Sequence, residues 1–322
     1  MMIVAVSGLA LGAAAGSTGW QAPWLAWKEP QAWQIVFEIR MPRSLGAWLA
    51  GALLGLAGAL AQGVFRNPLA DPFLLGSASG ASLGVCLYLS MWLGSGAWTL
   101  SWLAQLGLTG AAFVGAGAAV MFTVLISRGV QHTLRLLLAG VIVGVTLGAL
   151  SSWFSLLRPE VLRLMQSFML GSTGLLSWPA CALMALTLLL CIAMAWPLAR
   201  VLDALTLGEN TARSLGMPVA SARIALVLTL ALATGAAVAQ VGLVAFVGLA
   251  APHWVRAWAP LPYRWLIPLA ACMGGNLLLV ADLLARTLMH PQDLPVGLLT
   301  AVLGGAYLLL RMSRLQGQGT PA

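Results

Sequence analysis

The chain has 322 residues, of which 61% are hydrophobic and only 7% charged, and its mean hydropathy is +0.95. A soluble domain carries roughly 25% charged residues, so a soluble enzyme of this length would lack the charge to cover its surface. The composition is that of a polytopic membrane protein, whose surface meets lipid rather than water.

The net charge of +8 rests on arginines scattered singly between apolar runs. That pattern argues against a nucleic-acid patch and for topology determinants. The single lysine, Lys28, sits in Trp27-Lys28-Glu29, so no G-x-x-x-x-G-K-[ST] loop exists in the chain. Any ATP that drives this protein is therefore bound by another chain. Cys86, Cys181, Cys191 and Cys272 lie inside apolar runs without C-x-x-C spacing, and read as buried small apolar residues.

A spanning helix needs about 20 apolar residues to cross about 30 Å of hydrocarbon. Charge-free runs recur at about 2–17, 44–65, 73–94, 104–127, 136–157, 180–199, 224–240, 241–255, 265–281 and 296–310. The stretch 224–251 is long for one span and short for two, so hydropathy alone leaves nine or ten. The first run is short, and Ala13-Ala14-Ala15 resembles a cleavage site. No basic residue precedes it, however, which favours a retained helix over a signal peptide.

Basic residues in alternate connections favour a cytoplasmic N-terminus. On that orientation Arg66, Arg128, Arg135, Arg200, Arg213, Arg223, Arg256, Arg264, Arg311 and Arg314 lie inside, and Lys28, Arg40, Arg43, Arg158, Arg163 and Arg286 lie outside. Trp20, Trp24, Trp27 and Trp33 crowd the first outer connection, at the headgroup level that suits tryptophan. Glycines at four-residue spacing, as in Gly51/Gly55, Gly80/Gly84 and Gly140/Gly144/Gly148, predict close helix packing.

Four polar segments stand out. Glu38-Ile39-Arg40-Met41-Pro42-Arg43 opens the second span and reads as an interfacial anchor. Arg66-Asn67-Pro68-Leu69-Ala70-Asp71-Pro72 comes directly after that span as a tight turn, in which Asn67 and Asp71 can cap the next helix. Residues 207–218 predict a short helix bracketed by Gly208 and Gly216, with a composition suited to docking rather than to a solvated tether. Residues 242–256 place Pro252 where a helix should run, so a kink or a break is expected there. His253 reads as a hydrogen-bonding helix residue rather than a metal ligand.

These segments, in this order, resemble the FecCD/BtuC-type permease family of ABC importers for iron chelates and vitamin B12. The matching elements are Arg40-Met41-Pro42-Arg43, Asn67-Pro68-Leu69-Ala70-Asp71-Pro72, Leu207 to Gly216, and Phe246 to Arg256. Leu136 to Gly140, Asp282 to Arg286 and Leu294 to Ala301 match as well. Two departures are the short N-terminus and Gly304-Gly305-Ala306-Tyr307, where the family has a proline after the glycine.

The resemblance implies an all-α type II ABC importer permease, with ten helices in one transmembrane domain over 1–322. It implies a periplasmic connection at about 18–43, a cytoplasmic coupling loop at about 203–219, and both termini in the cytoplasm of a bacterium, the chain lying in the inner membrane. The partners implied are a second copy of the chain, two ATP-binding cassette subunits carrying ATP and Mg, a periplasmic substrate-binding protein and the bilayer. This chain itself would bind no cofactor or metal and catalyse no reaction.

Residue by residue, the resemblance gives Arg40, Arg43 and Arg286 to binding-protein docking. It gives Leu207, Gly208, Glu209, Ala212, Arg213, Leu215 and Gly216 to ATPase coupling, with Ala212 and Leu215 as a small apolar contact. Thr133 and Leu134 fall at a cytoplasmic gate, Leu134 standing where the vitamin B12 permease has Ser. Asn67, Pro68, Asp71, Pro72, Pro252 and His253 are structural.

The cargo expected is a ferric siderophore or haem, with cobalamin as the alternative within the family. An ion-coupled carrier is a more distant alternative. Such carriers keep ionisable groups near midplane, whereas Asp282 lies at a span end and can pair with Arg286 four residues on. An intramembrane enzyme would need a nucleophile, base or metal cluster, and the sequence offers none.

Overall fold

The computed structural model describes residues 1–16, 19–20, 30–92, 102–127, 133–289 and 292–316. Trp24, Trp27, Lys28, Arg128 and His132 lie outside them, as does the side chain of Thr133.

The first apolar run forms α1 (Met2–Ala14), which packs against later helices and leads into a two-residue antiparallel pairing of β1 (Ala15–Gly16) with β2 (Gly19–Trp20). A short α2 (Pro30–Ile35) continues through a π-helical turn over Val36–Arg40 into α3 (Met41–Phe65). Pro42 sits in the first turn of α3, directly after the π-helical turn. The helix stops at Arg66, which adopts a left-handed conformation at φ 49° and returns its N–H to Gln62 and Gly63. Pro68 cannot continue it.

The remaining helices are α4 (Ser77–Trp92), α5 (Trp102–Ile126), α6 (Thr133–Leu156), α7 (Pro159–Leu170) and α8 (Trp178–Thr206). They are followed by α9 (Glu209–Ser214), α10 (Val219–Val241), α11 (Val247–Trp258), α12 (Tyr263–Thr287) and α13 (Val296–Gln316). Ten of these, all but α2, α7 and α9, coincide with the ten apolar runs. Six helical stretches among the described residues are long and apolar enough to cross a membrane unaided.

The bundle is built around α3, with α8, α10, α11 and α12 packed on it. Small residues make this possible. A Cβ on Gly51 would stand 2.3 Å from the Gly274 carbonyl oxygen, and one on Gly58 only 1.7 Å from the Gly248 oxygen. Backbones in direct contact are the strongest packing available where lipid removes the hydrophobic drive between helices. A second, smaller core joins α4, α5 and α7 through Val85, Ala112, Ala116, Val161 and Met165. Helix α10 enters both cores, through Leu226 and Leu230 in one and Val238 in the other. Large apolar side chains such as Leu125, Val145, Leu186 and Leu189 line the outside of α5, α6 and α8.

The 224–255 region resolves in a way hydropathy did not show. Helix α10 is a full span, but α11 has 12 residues and reaches only about 18 Å. The break falls at Gly242–Phe246, where Gly242 (φ 70°) and Phe246 (φ 68°) have positive φ; of the kink or break expected at Pro252, the break is absent. Pro252 lies inside α11 and leaves the helix intact to Trp258. Having no N–H, it offers no helical donor to the carbonyl four residues back. That carbonyl belongs to Gly248 and is the one that meets Gly58 on α3.

Candidate functional site

The two ends of α3 carry the polar chemistry. At the Arg66 end, the turn forms as its residues suggest. Asn67 Oδ1 accepts from the Leu69 N–H at 2.9 Å, and Asp71 caps the 3-10 turn Pro72–Leu75 by accepting from the Phe73 N–H at 2.8 Å. Burial pushes the Asp71 carboxyl up to about 6, while the Phe73 hydrogen bond pulls it back.

Beneath this turn lies a polar network that the sequence did not reveal. Buried Gln62 on α3 donates to the Leu249 carbonyl at 3.1 Å and accepts a short bond from Arg256 on α11. Arg256 also donates to the Tyr263 hydroxyl at 3.0 Å, and its guanidinium lies 5.6 Å from that ring's centroid. Asp203 near the end of α8 accepts from the Tyr263 N–H at 2.9 Å, satisfying a donor at the start of α12. The signal in the sequence was a lone Gln inside an apolar run. His253 bonds through Nδ1 to the Tyr307 hydroxyl at 3.0 Å, tying α11 to α13.

At the same end stands the predicted glycine-bracketed helix. Gly208 (φ 111°) precedes α9 and Gly216 (φ 74°) comes after it, conformations that a side chain would strain. Its C-terminus closes as a Schellman motif, Met217 N–H to Ala212 C=O and Gly216 N–H to Arg213 C=O. Ala212 is fully buried in the main core. The outward apolar groups are Leu207 (67% exposed) and Leu215 (59%). Glu209 accepts from Arg213 at 2.7 Å and from Arg223 on α10 at 3.3 Å.

At the Arg43 end, the three arginines do converge, together with partners the sequence did not assign to them. Arg43 Nε donates to Asp282 at 3.2 Å and Nη1 to Asp293 at 2.5 Å. Arg286 pairs with Asp282 through a short contact, as its spacing predicts, and also donates to Ser44 Oγ and the Gly12 carbonyl. Arg40 donates to the Ala14 carbonyl, and Thr173 bonds Asp282. The set ties α1, α3, α12 and the segment after α7 into one joint. Arg40 (4% exposed) and Arg286 (2%) lie below the surface; Arg43 reaches it beside Asp293. Leu134, in the first turn of α6, is exposed in line with Leu138, Val141 and Val145.

The structure is an α-helical bundle with apolar side chains on its outside and ion pairs gathered at its two ends. The comparisons give the family: residues 1–314 match the FecCD transport family, and the chain belongs to it. The hemin transport system permease protein HmuU of Yersinia pestis is 38% identical over 96% of this chain and 93% of its own. The vitamin B12 import system permease protein BtuC of Pectobacterium atrosepticum is 36% identical over 90% of this chain and 85% of its own. A solved structure described as an inward-facing conformation of a metal-chelate type ABC transporter superposes with a TM-score of 0.85 at 27% identity, covering 97% of both chains. The protein is thus an ABC-importer permease, a class of subunit that is not itself an enzyme.

Proposed function

We propose that this chain, as a homodimer, forms the inner-membrane pathway of an importer that carries a bulky iron chelate, haem or a ferric siderophore, into the cytoplasm. ATP, with its Mg, is hydrolysed on two partner subunits. The observation that carries the reading is α9: a helix held by its own cap and core contact, offering Leu207 and Leu215 to a partner at an arginine-rich end. That end is the cytoplasmic one, on the positive-inside bias, with both termini on the same side. Leu207, Leu215 and Arg213 form the contact with an ATPase subunit, and buried Ala212 holds the helix in place.

The Arg43 end receives a periplasmic binding protein. Arg43 pairs there with Asp282 and Asp293, and Arg286 with Asp282, and the arginines of this end supply the field that acidic residues of the partner meet. Arg43 meets the partner, and Arg40 and Arg286 act through the field from beneath. Thr133 and Leu134 begin α6 at the cytoplasmic mouth, where the exposed Leu134 seals the path against its mate in the dimer.

The similarity to a hemin permease over nearly the full chain supports the chelate reading, and that to vitamin B12 permeases supports cobalamin as the second. Proteoliposomes holding the permease, its ATPase and its binding protein, offered labelled haem, ferric siderophore or cobalamin, discriminate between them. ATP-dependent haem or siderophore uptake, abolished by Leu215→Asp, is expected. Cobalamin uptake alone would establish the second reading, and uptake without the ATPase would replace both with an ion-coupled carrier.

A further inference from the structure

The coupling helix poses a mechanical problem. Helix α9 has six residues and is flanked by Gly208 and Gly216, both at positive φ. A helix this short does not hold itself in water, and a glycine at each end makes its covalent attachments flexible. A displacement applied to Leu207 and Leu215 would be absorbed at the glycines unless something beyond the small core contact of Ala212 bypassed them.

The bypass is present. Glu209, in the first turn of α9, reaches over the Gly216 turn to Arg223, 14 residues on, in the first turns of α10. Its other oxygen is held by Arg213 at 2.7 Å. The two arginines differ in kind. Arg213 is exposed, so its pair with Glu209 adds little. Arg223 is 1% exposed and among the largest fully buried side chains. A guanidinium in that setting is fixed by the surrounding packing, and a carboxylate bound to it is fixed as well. Helix α10, which carries Arg223, packs along its length on α3, α5 and α8 and contributes to both cores. It ends at the Gly242–Phe246 break that leads into α11.

We propose that Glu209 and Arg223 are positioning residues for transport: their ion pair clamps the coupling helix to α10, so that movement imposed on α9 is delivered to the bundle rather than lost at Gly216. This deepens the reading of α9 as the ATPase contact and rests on it. Neither residue touches the cargo, and neither is needed to hold the ATPase subunit, which meets the outward face of α9.

The test uses the whole transporter, permease with ATPase subunits and binding protein, in proteoliposomes. It reads three quantities: ATPase subunit co-purified, ATP hydrolysed, and cargo imported per ATP. Glu209→Gln keeps size and polarity and removes the charge. It leaves co-purification and hydrolysis within about twofold of the unsubstituted protein and lowers import per ATP by at least about fivefold, the lower end of typical coupling between sites. Arg223→Lys, which keeps the buried charge, loses less than Arg223→Met. The reciprocal pair Glu209→Arg with Arg223→Glu recovers import per ATP relative to Arg223→Glu alone.

Import per ATP unchanged in Glu209→Gln overturns the proposal. So does a loss of co-purified ATPase that accounts for the lost import, since Glu209 would then be a docking contact. If the reciprocal chain does not fold, the Glu209→Gln result decides alone. Failure of the unsubstituted permease to retain any ATPase subunit would refute the coupling role of α9 itself, a separate outcome.

Discussion

The joint at the Arg43 end offers the sharpest test of what holds the bundle together. Asp282 is fully buried and takes bonds from Arg43, Arg286 and Thr173. Asp282→Asn keeps the shape but turns an acceptor of charge into a neutral amide with an N–H₂ that must face guanidinium donors. The two arginines fare differently. Arg43 keeps Asp293, a half-exposed partner at 2.5 Å. Among the described residues Arg286 keeps hydrogen bonds to Ser44 and the Gly12 carbonyl, both neutral, and its Nε lacks a partner, with Asp293 the remaining charge that acts on it. One buried cation is therefore left without its ion pair rather than two. Breaking a buried pair by removing one partner costs about 3–5 kcal/mol, and the lower end applies here.

At about 2–4 °C per kcal/mol, the midpoint should fall by about 6–12 °C. Purified protein in mild detergent, with the partly exposed Cys272 replaced by serine, is heated with a thiol-reactive dye and reports this through Cys86, Cys181 and Cys191, which are buried in the fold. Arg286→Met in the same background should recover part of the loss, since it removes the stranded charge. A shift under about 2 °C in Asp282→Asn, or a further fall on adding Arg286→Met, would refute the argument that this charge pairing stabilises the joint.

Two further outcomes rest on the geometry. Gly58→Ala would drive a methyl to 1.7 Å from the Gly248 carbonyl oxygen, backbone that cannot swing aside. The expected result is loss of monodisperse protein in detergent gel filtration, or a cost at or above the usual 1–3 kcal/mol of overpacking. Asp71, with its carboxyl raised to about 6, binds its proton more tightly folded than unfolded, so it favours the fold most at low pH and loses that contribution as pH rises from about 4 to about 6. Asp71→Asn keeps an acceptor for the Phe73 N–H and removes the titration. The difference in thermal midpoint between the two proteins should therefore change across that window and be flat above pH 7, and parallel curves throughout would disprove the assignment.

Much of this protein was legible in its sequence, because lipid imposes a one-dimensional rule. Lipid-exposed backbone must be bonded within a helix or a closed barrel, so the apolar runs read as helices, nine or ten by hydropathy alone, and ten helices of the structure coincide with them. Local chemistry was legible for the same reason of short range. Asn67, Asp71, Gly208 and Gly216 act on neighbours within a few residues, and their turns formed as their types require.

What the tertiary structure alone decided concerns distance along the chain. Pro252 signals a kink or break locally, yet the helix runs through it, and the carbonyl it leaves without a helical donor packs on Gly58, almost 200 residues away; the break lies at Gly242–Phe246 instead. Ala212 reads as a surface residue until α9 is laid on the core. Arg40 and Arg286 read as outward charges because the Ala14 carbonyl and the Ser44 and Gly12 oxygens that receive them are 26, 242 and 274 residues distant. A charge can be buried only where a complementary group arrives to meet it. Hydropathy and spacing record what each segment is, and which distant segment arrives beside it is fixed by packing.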